Sequence, residues 1–120
     1  MAAKANIIVD QGSTFTTYLS LSDTDGNILD LTGYTTYGQI RKWYTSTSYV
    51  TLNLSITNPT QGNISLVLDA NTTASMSPGK YVYDIDTIDS FGTITRVIEG
   101  ILTVTPTVTQ LANTTYSMGL

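Results

Sequence analysis

The chain has no histidine and no cysteine, and charged residues make up only 12 % of it. Those absences remove Ser-His acyl transfer, a Cys nucleophile, a structural zinc of the Cys/His kind and a haem with His or Cys ligation. No run approaches the ~20 apolar residues of a membrane helix. Residues 1–12, MAAKANIIVDQG, fall short of the roughly 7 to 15 apolar residues at the centre of a signal peptide. Nothing in the sequence marks export or membrane residence, and the lack of cysteine fits folding in a reducing cytosol. Positive charge is confined to Lys4, Arg41, Lys42, Lys80 and Arg96, against nine acids for a net −4. Nucleic-acid backbone binding needs a clustered basic face, so no nucleic-acid partner and no membrane partner are expected.

What is present is strand chemistry. Short runs of Thr, Ile, Val, Leu and Tyr recur between Gly-bearing turns along 120 residues, enough for one domain that buries about two thirds of its unfolded surface without staples. Residues 7–9 and 14–22 read as the first two strands, joined at Asp10-Gln11-Gly12-Ser13, with Phe15, Leu19 and Leu21 on one face and Tyr18 on the other. A third strand spans 35–44, followed by a Ser/Thr loop. The clearest alternation sets Val50, Leu52, Leu54 and Ile56 against Thr51, Asn53, Ser55 and Thr57, a half-buried antiparallel strand. Asn58-Pro59-Thr60-Gln61-Gly62 turns it into Ile64, Leu66 and Leu68, completing a hairpin. Residues 69–76 can form a helical turn capped by Asp69 or Asn71, before Pro78-Gly79. Residues 80–87 and 93–105 make the last hairpin, and Pro106 limits further pairing. About seven short strands at near-regular spacing predict an all-β, antiparallel, immunoglobulin-like β-sandwich over residues 1–106. Leu52, Leu54, Ile64, Leu66, Phe15 and Leu19 are its expected core. Residues 107–120 form a C-terminal arm or tail.

Candidate sites are few. Asp23, Asp25 and Asn27 alternate as calcium ligands do, but the glycine stands fourth rather than sixth and Tyr34 occupies the twelfth position, where a bidentate Glu is required. An ordinary turn is expected. Asp84, Asp86 and Asp89 gather carboxylates, yet no His orients a proton and no apolar pocket is implied, so a solvated face is expected, with Arg96 and Glu99 in a cross-strand ion pair with it. No catalytic residue, metal or cofactor is expected. The sequons at Asn53, Asn63, Asn71 and Asn113 are attributed to chance in so Ser/Thr-rich a chain. If Ile40 faces the core, Tyr37, Gln39, Arg41 and Trp43 share the opposite face, with Tyr49 across the hairpin, and such residue types dominate interface hot spots. The alternative is a bulge that makes Trp43 the core tryptophan of the sandwich. Val97-Ile98 and Ile101-Leu102 are apolar on both faces, as in a strand covered twice or one that meets a partner.

The ordered segments VDQGSTF, DGN, DLTGY, GQIRK, GNISLVLDANTTASMSPGKYVYDID and GTITRVIEGILTVTP resemble a small immunoglobulin-like domain of tailed-bacteriophage structural proteins. They are similar to the N-terminal domain of the baseplate upper proteins of phages of Gram-positive hosts, over about residues 5–106. The resemblance implies a non-enzymatic virion protein, a tail or baseplate adaptor or accessory subunit made in the host cytoplasm, whose partners are other virion proteins and copies of itself. A capsid decoration protein is the alternative within that class. From another class comes a carbohydrate-binding sandwich, with Trp43, Tyr37, Tyr44 and Tyr49 as a stacking platform for a surface glycan. The expected interface is Tyr37, Gln39, Arg41, Trp43 and Tyr49, joined by Val108, Leu111 and Tyr116 of the arm, which also carries Met118 and Leu120.

Overall fold

The computed structural model describes residues 3–23, 25–112, 114 and 116; Asn113, Met118 and Leu120 lie outside them. The strands are β1 (Ala3–Lys4), β2 (Ile7–Asp10), β3 (Phe15–Ser20), β4 (Thr35–Arg41), β5 (Val50–Thr51), β6 (Asn53–Asn58), β7 (Asn63–Leu68), β8 (Gly79–Ile88) and β9 (Ile94–Thr105), with one helix, α1 (Ala70–Ser75), between β7 and β8. They form two sheets. The larger, sheet A, runs β1-β9-β8-β4-β5 with β2 also on β9, and the smaller, sheet B, runs β3-β7-β6. Setting β4, β8 and β9 in one sheet against β3, β6 and β7 in the other gives an all-β sandwich of immunoglobulin-like arrangement, as the spacing predicts. It is not antiparallel throughout. β1 and β2 both run parallel to β9, a pairing that a hairpin cannot make and that the long stretch of chain between them allows.

Period-two alternation builds the core. Ile64, Leu66 and Leu68 on β7 are at most 2 % exposed and meet Val9, Ile40, Ile85, Leu102 and Val104 from sheet A. Leu52 is buried, while Phe15, Leu19 and Leu54 are half-buried against the same cluster because they sit on the outer strands of sheet B. The expected single strand over residues 50–57 is divided. Val50–Thr51 pairs with β4, Asn53–Asn58 pairs with β7, and Leu52 crosses between the sheets with its N–H on the Gly38 carbonyl at 2.9 Å. Alternation cannot reveal this, because Leu52 faces the interior from either sheet.

Helix α1 is capped by Asp69, whose side chain accepts from the Thr72 N–H at 2.7 Å. Buried Gln11 donates through Nε2 to the carbonyls of Ala74 and Met76, and the Thr73 hydroxyl accepts from Gly12 N–H at 3.0 Å. These bonds tie the helix to the turn after β2. Within the expected arm beyond Pro106, Tyr116 is buried, with its ring against Gly12 so closely that a Cβ there would stand 2.6 Å from Cε2, and its hydroxyl accepts from Ala112 N–H at 2.7 Å. Tyr116 therefore packs against the turn between β2 and β3. The arm's scattered apolar residues hid this, since one aromatic anchor leaves no period.

Candidate interaction face

β4 places its residues by strict alternation. Gly38 and Ile40 point inward, and Tyr37, Gln39 and Arg41 point outward. Cross-strand register extends each outward residue into a row over sheet A: Tyr37–Asp86–Arg96, Gln39–Asp84–Glu99 and Arg41–Val82–Ile101, with Lys4 beside Glu99. A bulge between Ile85 and Asp86 brings Arg96, rather than Val97, opposite Asp86, and it turns Val97 against the core. Ile98 and Leu102 are buried and Ile101 is 41 % exposed, so the doubly apolar stretch of β9 divides into a core face and an outward Ile101.

Charges on this face are knitted together. Arg96 reaches Asp84 at 3.3 Å and Glu99 at 3.2 Å, and Lys4 reaches Glu99 at 3.1 Å. This is the expected ion pair of Arg96 and Glu99 with the acidic row. Hydrogen bonds from Lys4 and Arg96 lower the Glu99 pKa, whereas burial, reinforced by neighbouring Asp84 and opposed by Arg96, raises that of Asp86. Asp86 Oδ1 is buried with no hydrogen-bond partner. Arg41 donates to Gln39 Oε1 at 2.8 Å and to the Ser46 carbonyl, and its guanidinium lies 4.8 Å from the centre of the Tyr49 ring. A depression of 260 Å³ opens among these side chains, lined by Gln39, Arg41, Tyr44, Asp84, Asp86 and Arg96 among others.

Of the expected interface, Tyr37, Gln39, Arg41 and Tyr49 are brought together, with Tyr37 and Tyr49 more than half exposed. Trp43 is exposed at 67 %, so it is not the core tryptophan of the sandwich. It is also out of the row: β4 ends at Arg41, and a tight turn closes from Ser46 N–H to the Trp43 carbonyl at 3.0 Å. Tyr44, at 84 % exposure, lines the depression instead. Val108 and Leu111 are fully solvent-facing, but Tyr116 is held inside its own chain and offers a partner nothing. The Asp84–Asp86 row belongs to the same patch as the aromatics, which the register of the 80–105 hairpin could have indicated.

The Asp23 segment is a turn. Asp23 Oδ1 accepts from the N–H groups of Asp25 and Asn27 at 2.9 and 3.0 Å. Asp89 repeats this on Phe91 and Thr93. Among the described residues no group of three acidic, His or Cys side chains is placed to hold a metal, and no helix is long and apolar enough to cross a membrane.

No family model matches the chain, and no curated protein matches it. Among solved structures, an internalin-like protein of Listeria monocytogenes is 21 % identical with a TM-score of 0.46, over 86 % of this chain and 28 % of that one. The chain thus spans little more than a quarter of that protein, and the likeness is too loose to bear on function.

Proposed function

We propose that this chain is a non-enzymatic structural subunit of a tailed-bacteriophage virion, an adaptor or accessory protein of the tail or baseplate, assembled in the host cytoplasm. The ordered series of segments supports the phage assignment. The observation that carries the assembly role is the outward cluster of Tyr37, Arg41 and Tyr49 beside solvent-facing Trp43 on sheet A, since aromatic and Arg side chains concentrate binding energy at protein interfaces. Immunogold labelling of purified particles tests the location: label on the tail or baseplate is expected, label on the capsid would favour a decoration protein, and unlabelled particles refute a virion role. Trp43→Ala and Tyr49→Ala should each weaken incorporation about thirtyfold, equivalent to ~2 kcal/mol, without unfolding the chain.

A carbohydrate-binding module is the second reading. It is favoured by the 260 Å³ depression that exposed Tyr44 lines together with Gln39, Asp84 and Asp86, because sugars are held by carboxylates and amides beside an aromatic ring. A glycan array separates the two. Specific glycan binding lost in Tyr44→Ala would support this reading, and a blank array would exclude it for the glycans printed.

A further inference from the structure

The charges of this protein are segregated between its two sheets. Of five basic and nine acidic side chains, none lies in β3, β6 or β7, whose sequences are FTTYLS, NLSITN and NISLVL. The chain carries a net charge of −4, so two copies repel wherever their charged surfaces meet. Across sheet B they can meet without desolvating a charge.

The sheet edges differ as well. On sheet A one edge is β5, two residues long, and the other is broken into β1 and β2 and carries Lys4. On sheet B, β6 has a register shift between Ile56 and Asn58. Short length, charge and bulges are the devices that keep edges from pairing. β3 has none of them: its six residues pair with β7 in unbroken register, with no charge and no proline.

The open side of β3 is set by its ladder. Leu21 N–H donates to the Gly62 carbonyl at 2.8 Å, in register with Leu19 opposite Ile64. Antiparallel alternation then directs the backbone groups of Phe15, Thr17 and Leu19 toward β7, and those of Thr16, Tyr18 and Ser20 away from it. The described residues place no strand on that side. Thr16, Tyr18 and Ser20 are exposed, and Phe15 and Leu19 remain half-covered on the inner face.

We infer that β3 is a homotypic pairing edge, through which two copies of this chain join antiparallel across a two-fold axis and merge their three-stranded sheets into one of six. With Tyr18 of one copy opposite Tyr18 of the other, Thr16 faces Ser20 on both sides. All three outward-directed residues then form pairs of the hydrogen-bonded type, about six N–H···O bonds in all. The Thr–Ser and Tyr–Tyr neighbours are favourable cross-strand pairs. A second copy fits better than a different protein because an antiparallel edge is its own complement and this one carries no charge to oppose its twin. The inference does not depend on the virion reading.

Sedimentation velocity on the full chain across a concentration series tests it, with three variants. Tyr18→Pro removes an N–H that points away from β7, a position an edge strand tolerates, and Thr16→Lys adds a charge at an exposed site. Both should weaken the dimer at least about tenfold while keeping the β-sheet circular dichroism and cooperative melting of the parent. Tyr18→Cys introduces the only thiol in a chain that has no cysteine, and Cα atoms about 5.5 Å apart in such a pair suit a disulfide. It should oxidise to a covalent dimer faster than Ser90→Cys. A chain monomeric up to about 1 mM, a dimer that survives both edge variants, or equal cross-linking at residues 18 and 90 would overturn the inference.

Discussion

Replacing Gly100 with alanine should detach the first strand from the sandwich. Gly100 lies within β9, and a Cβ built on it would stand 2.0 Å from the Ala5 carbonyl oxygen and 2.8 Å from the carbonyl carbon. Both are backbone atoms, so no rotamer change relieves the overlap. Gly100 is not among the glycines with positive φ, so the perturbation is purely one of space. Four contacts hold Ala5 where it is: Ala5 N–H to the Glu99 carbonyl at 3.0 Å, Tyr83 hydroxyl to the Ala5 carbonyl at 2.5 Å, Ile101 N–H to Asn6 Oδ1 at 3.1 Å, and the Lys4–Glu99 ion pair. Moving the strand breaks them and strands the hydroxyl of Tyr83, a residue only 4 % exposed. Over-packing of this kind costs about 1–3 kcal/mol, and an orphaned buried hydroxyl about 1–3. These are alternative ways for one clash to resolve and do not add, so about 1–3 kcal/mol is expected. For a domain of this size that is roughly 4–12 °C in Tm. Chemical and thermal denaturation of Gly100→Ala measure it, and the same substitution in a chain lacking residues 1–6 supplies the control. With Ala5 gone, the alanine should cost less than about 0.5 kcal/mol. A Tm within error of the parent, or an equal loss in the truncated chain, would refute the reasoning.

Three further outcomes are expected. Trp43→Ala should change stability by less than about 0.5 kcal/mol, since the ring is 67 % exposed and lies beyond the end of β4; a large drop in Tm would mean that it packs. Tyr116→Ala should destabilise by about 1–3 kcal/mol through lost burial against Gly12, with deletion of residues 107–120 reproducing the effect; an unchanged melt would return this segment to the status of a free tail. Asp86→Asn should raise Tm at neutral pH, where the carboxylate is charged with one oxygen buried and unpaired. Because burial and Asp84 raise the folded pKa above the unfolded 3.8, the ionisation penalty is full above the folded value. It fades as pH falls through that value and is gone below 3.8, so the advantage of asparagine should vanish in acid. A pH-independent difference between variant and parent would contradict this.

Much of the site was legible because alternation is a local rule. Given Ile40 inward, Tyr37, Gln39 and Arg41 had to face out, and so they do. The same rule failed at Trp43, because it holds only while the chain stays extended and Ser46 closes a turn there with its side chain and backbone. It could not see Tyr44, whose position at the depression follows from the path of a loop. The charged rows of Asp84, Asp86, Arg96 and Glu99 required the hairpin register, and one bulge decided which of Val97 and Arg96 faced solvent.

Composition and period alone determined the class of this protein: strand-forming residues alternating between turn signals leave a chain whose described residues form one α-helix, of six residues, little choice but to stack two sheets. Even the separation of charge from the strands of sheet B is written in the primary structure. Only the tertiary structure decided which sheet each strand joined, why the first strands run parallel to the last, where residues 50–58 pass from one sheet to the other, and that Tyr116 returns to Gly12. Those choices depend on backbone hydrogen bonds between residues far apart in sequence, and a side-chain pattern that repeats every two residues is satisfied equally well by either sheet and by either strand direction.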